Sequence, residues 1–216
     1  MKVNVEIVNK QNIPATGGVI FASNHPLGGM DGMAFIKAVG DVRPDVRFIV
    51  NDILRNLKNF DEIFVGVNKM GGSSRDALKT IEDVYASPTA ILIFPAGLVS
   101  RKTDQGIRDL EWSKSFISKA IKYSKPIVPV FIEGQNRKFF YNFARWRKRL
   151  GIKKNIEMLY LPDEMFRQAG KTIRLHFGKA VEPSVFNDSL SEKEWAQKLR
   201  EYIYSSDFRS GIPFKA

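Results

Sequence analysis

The sequence predicts an α/β fold: a single domain over residues 1–216, with a mainly parallel mixed β-sheet flanked by helices. Three observations lead there. Short apolar runs alternate along the chain with amphipathic stretches, the pattern of strands joined by crossover helices. The runs Ala90–Phe94 and Ile127–Val130 are apolar throughout, which suits strands covered on both faces. No repeat, low-complexity tract or linker divides the chain, and its length is ample for one core.

Taken in order, strands are expected at Val3–Val8, Val19–Ser23, Arg47–Val50, Ile63–Val67, Ala90–Phe94, Ile127–Ile132 and Thr172–Phe177. Each is of strand length. Helices are expected between and after them at Gly32–Val39, Ser74–Tyr85, Leu110–Tyr123, Gln135–Arg149 and Ser191–Tyr204. Ser74–Tyr85 shows the helical signal most plainly. Ser73 and Ser74 are capping candidates, and Ala77, Leu78, Ile81, Val84 and Tyr85 share one face. Trp112 and Trp195 fall on helical runs and read as packing residues; His176 lies in the last strand and receives no role.

Composition excludes several chemistries. With no cysteine there are no disulfides, thiolate metal sites or cysteine nucleophiles. Two histidines without a helical His-Glu-x-x-His pattern argue against zinc, and no metal site is expected. No apolar run approaches the ~18 residues of a membrane-spanning helix. The start, MKVNVEIVNKQ, is polar where a signal peptide needs its apolar stretch, which argues against export. A net charge of +11 implies an anionic partner: nucleic acid, lipid headgroups, or an acidic or phosphorylated carrier.

Three loops that follow strands carry the candidate chemistry. The first is Asn24-His25-Pro26-Leu27-Gly28-Gly29-Met30-Asp31. A carboxylate against one imidazole nitrogen sets the tautomer and leaves the other nitrogen able to take a proton. The bland alternative is that Asp31 merely caps the next helix and His25 is an ordinary loop residue. The second is Ile93 to Lys102, where Pro95 and Gly97 shape a turn. Ser100, Arg101 and Lys102 there offer donors suited to phosphate or carboxylate, or simply solvated charges. The third, Val67 to Arg75, holds Lys69, Gly71, Gly72, Ser73 and Arg75, a possible anion nest lacking the ending of a P-loop. In a parallel sheet such loops converge at one edge.

The blocks Asn24-His25 to Asp31, Phe94-Pro95-x-Gly97-x-x-Ser100-Arg101 and Ile127-Val128-Pro129-Val130 resemble, in order, those of the glycerolipid acyltransferase superfamily. The resemblance spans roughly residues 10 to 185. It is nearest the bacterial hemolysin-like or ornithine-lipid branch, which has five residues between His and Asp and Phe-Pro-Ala-Gly for Phe-Pro-Glu-Gly. What the resemblance implies is a glycerol-phosphate acyltransferase-like fold and transfer of a fatty acyl group from an acyl carrier protein or coenzyme A thioester. The acceptor would be the hydroxyl of a lyso-lipid or mono-acylated amino acid lipid. His25 would be the general base and Asp31 its orienting partner. Lys69, Gly71, Gly72, Ser73, Arg75, Pro95, Gly97, Ser100, Arg101 and Lys102 would contact substrate, with no cofactor beyond the acyl donor. No Gly-x-Ser-x-Gly nucleophile is present. Ala96 stands at the family's Glu and Leu98-Val99 at its Thr-Arg, so the acceptor is expected to differ from lysophosphatidate. The histidine lies only 25 residues in, so an N-terminal membrane anchor carried by many relatives is expected to be absent or removed.

Residues Arg137–Lys154 hold eight Lys or Arg and no acid, interleaved with Phe139, Phe140, Tyr141, Phe143 and Trp146. That pattern suits a helix lying on anionic lipid, with Arg137, Lys138, Phe139, Phe140, Arg145, Trp146, Arg147, Lys148 and Arg149 at the membrane. A core-packing amphipathic helix with solvated charges fits equally. The expected location is cytoplasmic, peripheral on the inner face of a bacterial membrane. A nucleic-acid-binding protein, or a membrane-binding one without catalysis, is the rival. No specific nucleic-acid motif accompanies the charges.

Overall fold

In a computed structural model the chain forms a seven-stranded sheet with helices on both faces. The structure describes residues 2–50, 60–66 and 74–215, with the backbone alone for 74–77. The strands are β1 (Asn4–Val8), β2 (Val19–Ser23), β3 (Val46–Val50), β4 (Phe64–Gly66), β5 (Ala90–Ile93), β8 (Ile127–Ile132) and β9 (Thr172–Phe177), with a separate hairpin of β6 (Arg101–Thr103) and β7 (Gly106–Arg108). Their spatial order is β1-β9-β8-β2-β5-β3-β4. Neighbours are parallel except β8 and β9, so five strands run one way and β1 and β9 the other.

Strand β2 lies between β5 and β8, and its five residues are all buried. Successive side chains point to opposite faces, so both must be apolar. Val19 and Phe21 join the layer under α1 (Gly29–Gly40); Ile20 and Ala22 join the layer under α2 (Ser74–Ala86), α3 (Ser115–Lys122) and α6 (Glu192–Ile203). The remaining helices are α4 (Lys138–Arg149), α5 (Leu161–Phe166) and α7 (Ser206–Arg209). Among the described residues no helix is long and apolar enough to cross a membrane.

The structure moves two expected helix starts. The helix expected from Leu110 begins at Ser115, because Trp112 N donates to Gln197 Oε1 and Ser113 N to the Pro95 carbonyl. The helix expected from Gln135 begins at Lys138, because Arg137 is extended there, with φ −62° and ψ 155°. Asn136 N and Arg137 N donate instead to the Tyr141 hydroxyl and to Glu164. The β6–β7 hairpin, the 3-10 turn Ile156–Tyr160 and α5 were not expected from local pattern. His176 pairs with Glu133 across β8 and β9 at 2.6 Å.

Candidate active site

Because β2, β5 and β8 are parallel neighbours, the loops leaving them emerge at one edge of the sheet. Asn24 joins two of these exits: its Nδ2 donates to the Ile132 carbonyl at 2.9 Å and its Oδ1 accepts from Ile132 N at 2.7 Å. The side chain thus continues the ladder after β2 has ended. At Gly28 the backbone takes φ +85°, and a β-carbon there would stand 3.2 Å from the Leu161 methyl carbons of α5. Both conformation and space call for glycine.

That turn aims donors at one carboxylate oxygen. Asp31 Oδ2 accepts from Leu27 N at 2.6 Å, Gly28 N at 3.0 Å and His25 Nδ1 at 3.0 Å. An oxygen already accepting two backbone N–H groups takes a third bond only from a donor, so Nδ1 carries the imidazole proton and Nε2 is left as an acceptor. Asp31 is fully buried, and its Oδ1 has no partner among the described residues. Burial pushes the carboxyl up from its ordinary value, opposed by the His25 bond and the two N–H groups. The His25 side chain is 16% exposed. Its ring lies on Phe94, with centroids 4.1 Å apart and planes 19° apart, and Phe94 is wedged against Phe35 and Phe48. Carboxylate and phenyl ring together restrict the imidazole's rotation.

A second buried carboxylate supports the loop from behind. Asp109 Oδ1 accepts from His25 N at 3.1 Å and Ser100 Oγ at 2.6 Å, and its Oδ2 accepts from Trp112 Nε1 at 2.9 Å. Ser100 N donates to the His25 carbonyl at 2.8 Å. Burial pushes the Asp109 carboxyl up as well, against those three bonds. Sequence reading missed Asp109, Phe94 and the role of Asn24. No spacing rule connects Asp109 to a histidine 84 positions away.

The expected substrate donors divide. Ser100 and Arg101 turn inward: Ser100 is buried on Asp109, and Arg101 Nη2 bonds buried Glu157 Oε1 at 2.8 Å. Gly97 takes φ +64°, in the turn that follows Pro95. Lys102 is exposed and lines a cavity of about 570 Å³ with Asn136, Tyr141 and Arg137. A smaller cavity of about 180 Å³ is lined by Asn24, Pro26, Ser100 and Tyr204. Lys69, Gly71, Gly72 and Ser73, and the side chain of Arg75, lie outside the described residues.

The basic stretch also splits, with helical period. Phe140, Tyr141, Ala144 and Arg147 face inward on α4. Phe140 and Arg147 are therefore corrected from lipid contacts to packing residues. Phe140 is buried beneath the Arg101 guanidinium, and Arg147 Nε lies 2.7 Å from Glu157 Oε2. Arg137 pairs with Glu164 and Asp163. Phe139, Arg145, Trp146, Lys148, Arg149 and Leu150 are exposed, with Leu159, Tyr160 and Phe166 beside them in sequence beyond the helix. Phe139, Phe143 and Tyr160 are in mutual ring contact.

Residues 5–208 match the model of a family described as acyltransferase. Over 205 residues, 94% of its length, the chain is 42% identical to the lyso-glycine lipid O-acyltransferase of Phocaeicola vulgatus, covering 74% of that protein. It is equally identical to the enzyme of that name from Bacteroides thetaiotaomicron, covering 75% of it. Among solved structures, the 1-acyl-sn-glycerophosphate acyltransferase of Thermotoga maritima superposes with a TM-score of 0.57 at 18% identity, over 93% of this chain and 70% of that one. At that identity the likeness concerns the fold, and it agrees with the α/β sheet expected from sequence.

Proposed function

The chain belongs to the acyltransferase family, and from that premise we propose that it moves a fatty acyl group from a thioester to the hydroxyl of a lyso-lipid. The thioester is that of acyl carrier protein or coenzyme A. The names of the relatives favour a mono-acylated glycine lipid as acceptor. The observation that carries the reading is His25, held by Asp31 in the tautomer that leaves Nε2 unprotonated, and stacked on Phe94 at the sheet edge.

The chemistry follows from that arrangement. His25 Nε2 takes the proton of the acceptor hydroxyl as its oxygen attacks the thioester carbonyl carbon. The tetrahedral adduct collapses, the carbon–sulfur bond breaks, and the imidazolium returns its proton to the departing thiolate. The products are an ester and a free thiol, with no acyl-enzyme required. Asp31, whose Oδ2 already receives three donors, stabilises the transient imidazolium. A positioned base is worth typically ~10² to 10⁴-fold. Alignment of the two substrates supplies more.

The exposed aromatics and cations of α4 and the segment after it support peripheral attachment to the inner face of an anionic membrane, where both lipid substrate and product reside. Incubating the protein with labelled acyl thioester and lyso-glycine lipid, then identifying products by mass spectrometry, tests the assignment. Di-acylated lipid that appears only with thioester and enzyme is expected. Absence of product from every lyso-lipid in a total bacterial extract would overturn it.

A further inference from the structure

The 570 Å³ cavity is walled by the β6–β7 hairpin, the start of α4 and the end of α5. Five cations line it: Lys102, Arg137, Lys138, Arg167 and Lys171. Acids answer only some of them. Arg137 pairs with Glu164 and Asp163, and Arg167 with Asp163. Lys102, Lys138 and Lys171 have no side-chain partner among the described residues. Three unpaired ammonium groups around one concave wall repel each other and are stabilised by an anion seated between them. The N-terminus of the 12-residue helix α4 also faces the cavity, where Glu164 accepts from Arg137 N at 2.9 Å.

The rest of the lining fits an amphiphile rather than a bare ion. Ile107 and Tyr141 provide apolar wall, and Asn136, 4% exposed, has a buried Oδ1 without a donor. Asn136 also ties the cavity to the chemistry. Its Nδ2 donates to the Pro26 carbonyl at 3.3 Å, one residue from His25. Phe139, 47% exposed, follows the lining residue Lys138 in sequence and stacks on Phe143.

We propose that this cavity holds the anionic headgroup, a carboxylate or phosphate, of the acceptor lipid, so that its hydroxyl is delivered to His25 while its chain stays on the aromatic face. The inference rests on the acyl-transfer reading and deepens it. The donor's phosphate is the other source of the same chemistry, and the test separates the two.

Two arms suffice. In the first, binding of N-lauroylglycine and of its neutral amide, N-lauroylglycinamide, is measured below their micelle concentrations. The wild type is expected to favour the acid about tenfold, and Lys102→Ala/Lys138→Ala and Lys171→Glu to lose that preference without a change in Tm. In the second, the same variants are expected to raise the KM for the acyl acceptor about tenfold and leave the KM for the thioester unchanged. Equal binding of acid and amide by the wild type overturns the proposal. So does a rise confined to the thioester KM, which would place the donor's phosphate in the cavity. A wild type that transfers no acyl group defeats the acyl-transfer reading instead, whereas an active enzyme whose acceptor KM ignores these lysines defeats this inference alone.

Discussion

In the His25 loop one buried carboxylate gathers three donors within eight residues of sequence, whereas in α4 five cations are parted by the helix between an inner and an outer face. The loop's geometry is local: Leu27, Gly28 and Asp31 are too close in the chain to arrange themselves otherwise once Gly28 adopts φ +85°. The α4 arrangement is not. Arg147 turns inward because Glu157, ten positions on, is fully buried and needs an opposite charge, and it shares that acid with Arg101 of β6. The carboxylate of the His25 loop is answered within its own loop, whereas Arg147 on the helix, like Arg101 of the neighbouring strand-end loop, is placed by a partner far away in the chain.

The sharpest way to break this contrast is at the loop. His25→Ala is expected to lower kcat/KM by ~10² to 10⁴ with the circular dichroism spectrum unchanged. Asp31→Asn should lose about 10²-fold, because an amide oxygen can still take the three donors but carries no charge to stabilise the transient imidazolium. The double variant should be little worse than His25→Ala alone. Fully additive losses would mean that the two groups act independently and that Asp31 does not work through the imidazole.

Next in size is the inward face of α4. Glu157→Gln leaves two guanidinium groups buried around a neutral amide, and breaking a buried pair costs about 3–5 kcal/mol. Tm should fall by roughly 10 °C. Arg149→Ser, on the exposed face, should leave Tm within about 2 °C. Equal shifts from both would erase the distinction between the faces.

The smallest expected effect concerns the outer face. Phe139→Ala/Trp146→Ala should reduce partitioning onto phosphatidylglycerol-containing vesicles about tenfold at unchanged Tm. Phe140→Ala should do the reverse, costing about 3–5 kcal/mol of stability and leaving vesicle binding of the folded protein as it was. Vesicle sedimentation beside thermal melts reads both, and membrane binding lost only with Phe140 would invert the assignment of faces.

Much of this was legible in the sequence. Val19–Ser23 and Ile127–Ile132 are near-continuous apolar runs that suit strands buried on both faces, Thr172–Phe177 buries every second residue, and all three fall at the expected bounds. The His25–Asp31 pair was legible as a candidate: its spacing allowed either a contact or a plain helix cap, and the structure brings Nδ1 to 3.0 Å from Oδ2. Short-range sterics and side-chain period, both written residue by residue, determine such features.

What only the tertiary structure decided are the long-range partners. Asp109 behind the histidine, Phe94 beneath its ring, Glu157 between Arg101 and Arg147, and the lysine-lined cavity each join segments far apart in the chain. A buried carboxylate must be met by donors wherever the fold brings them, and that meeting is set by the sheet's strand order rather than by any local spacing.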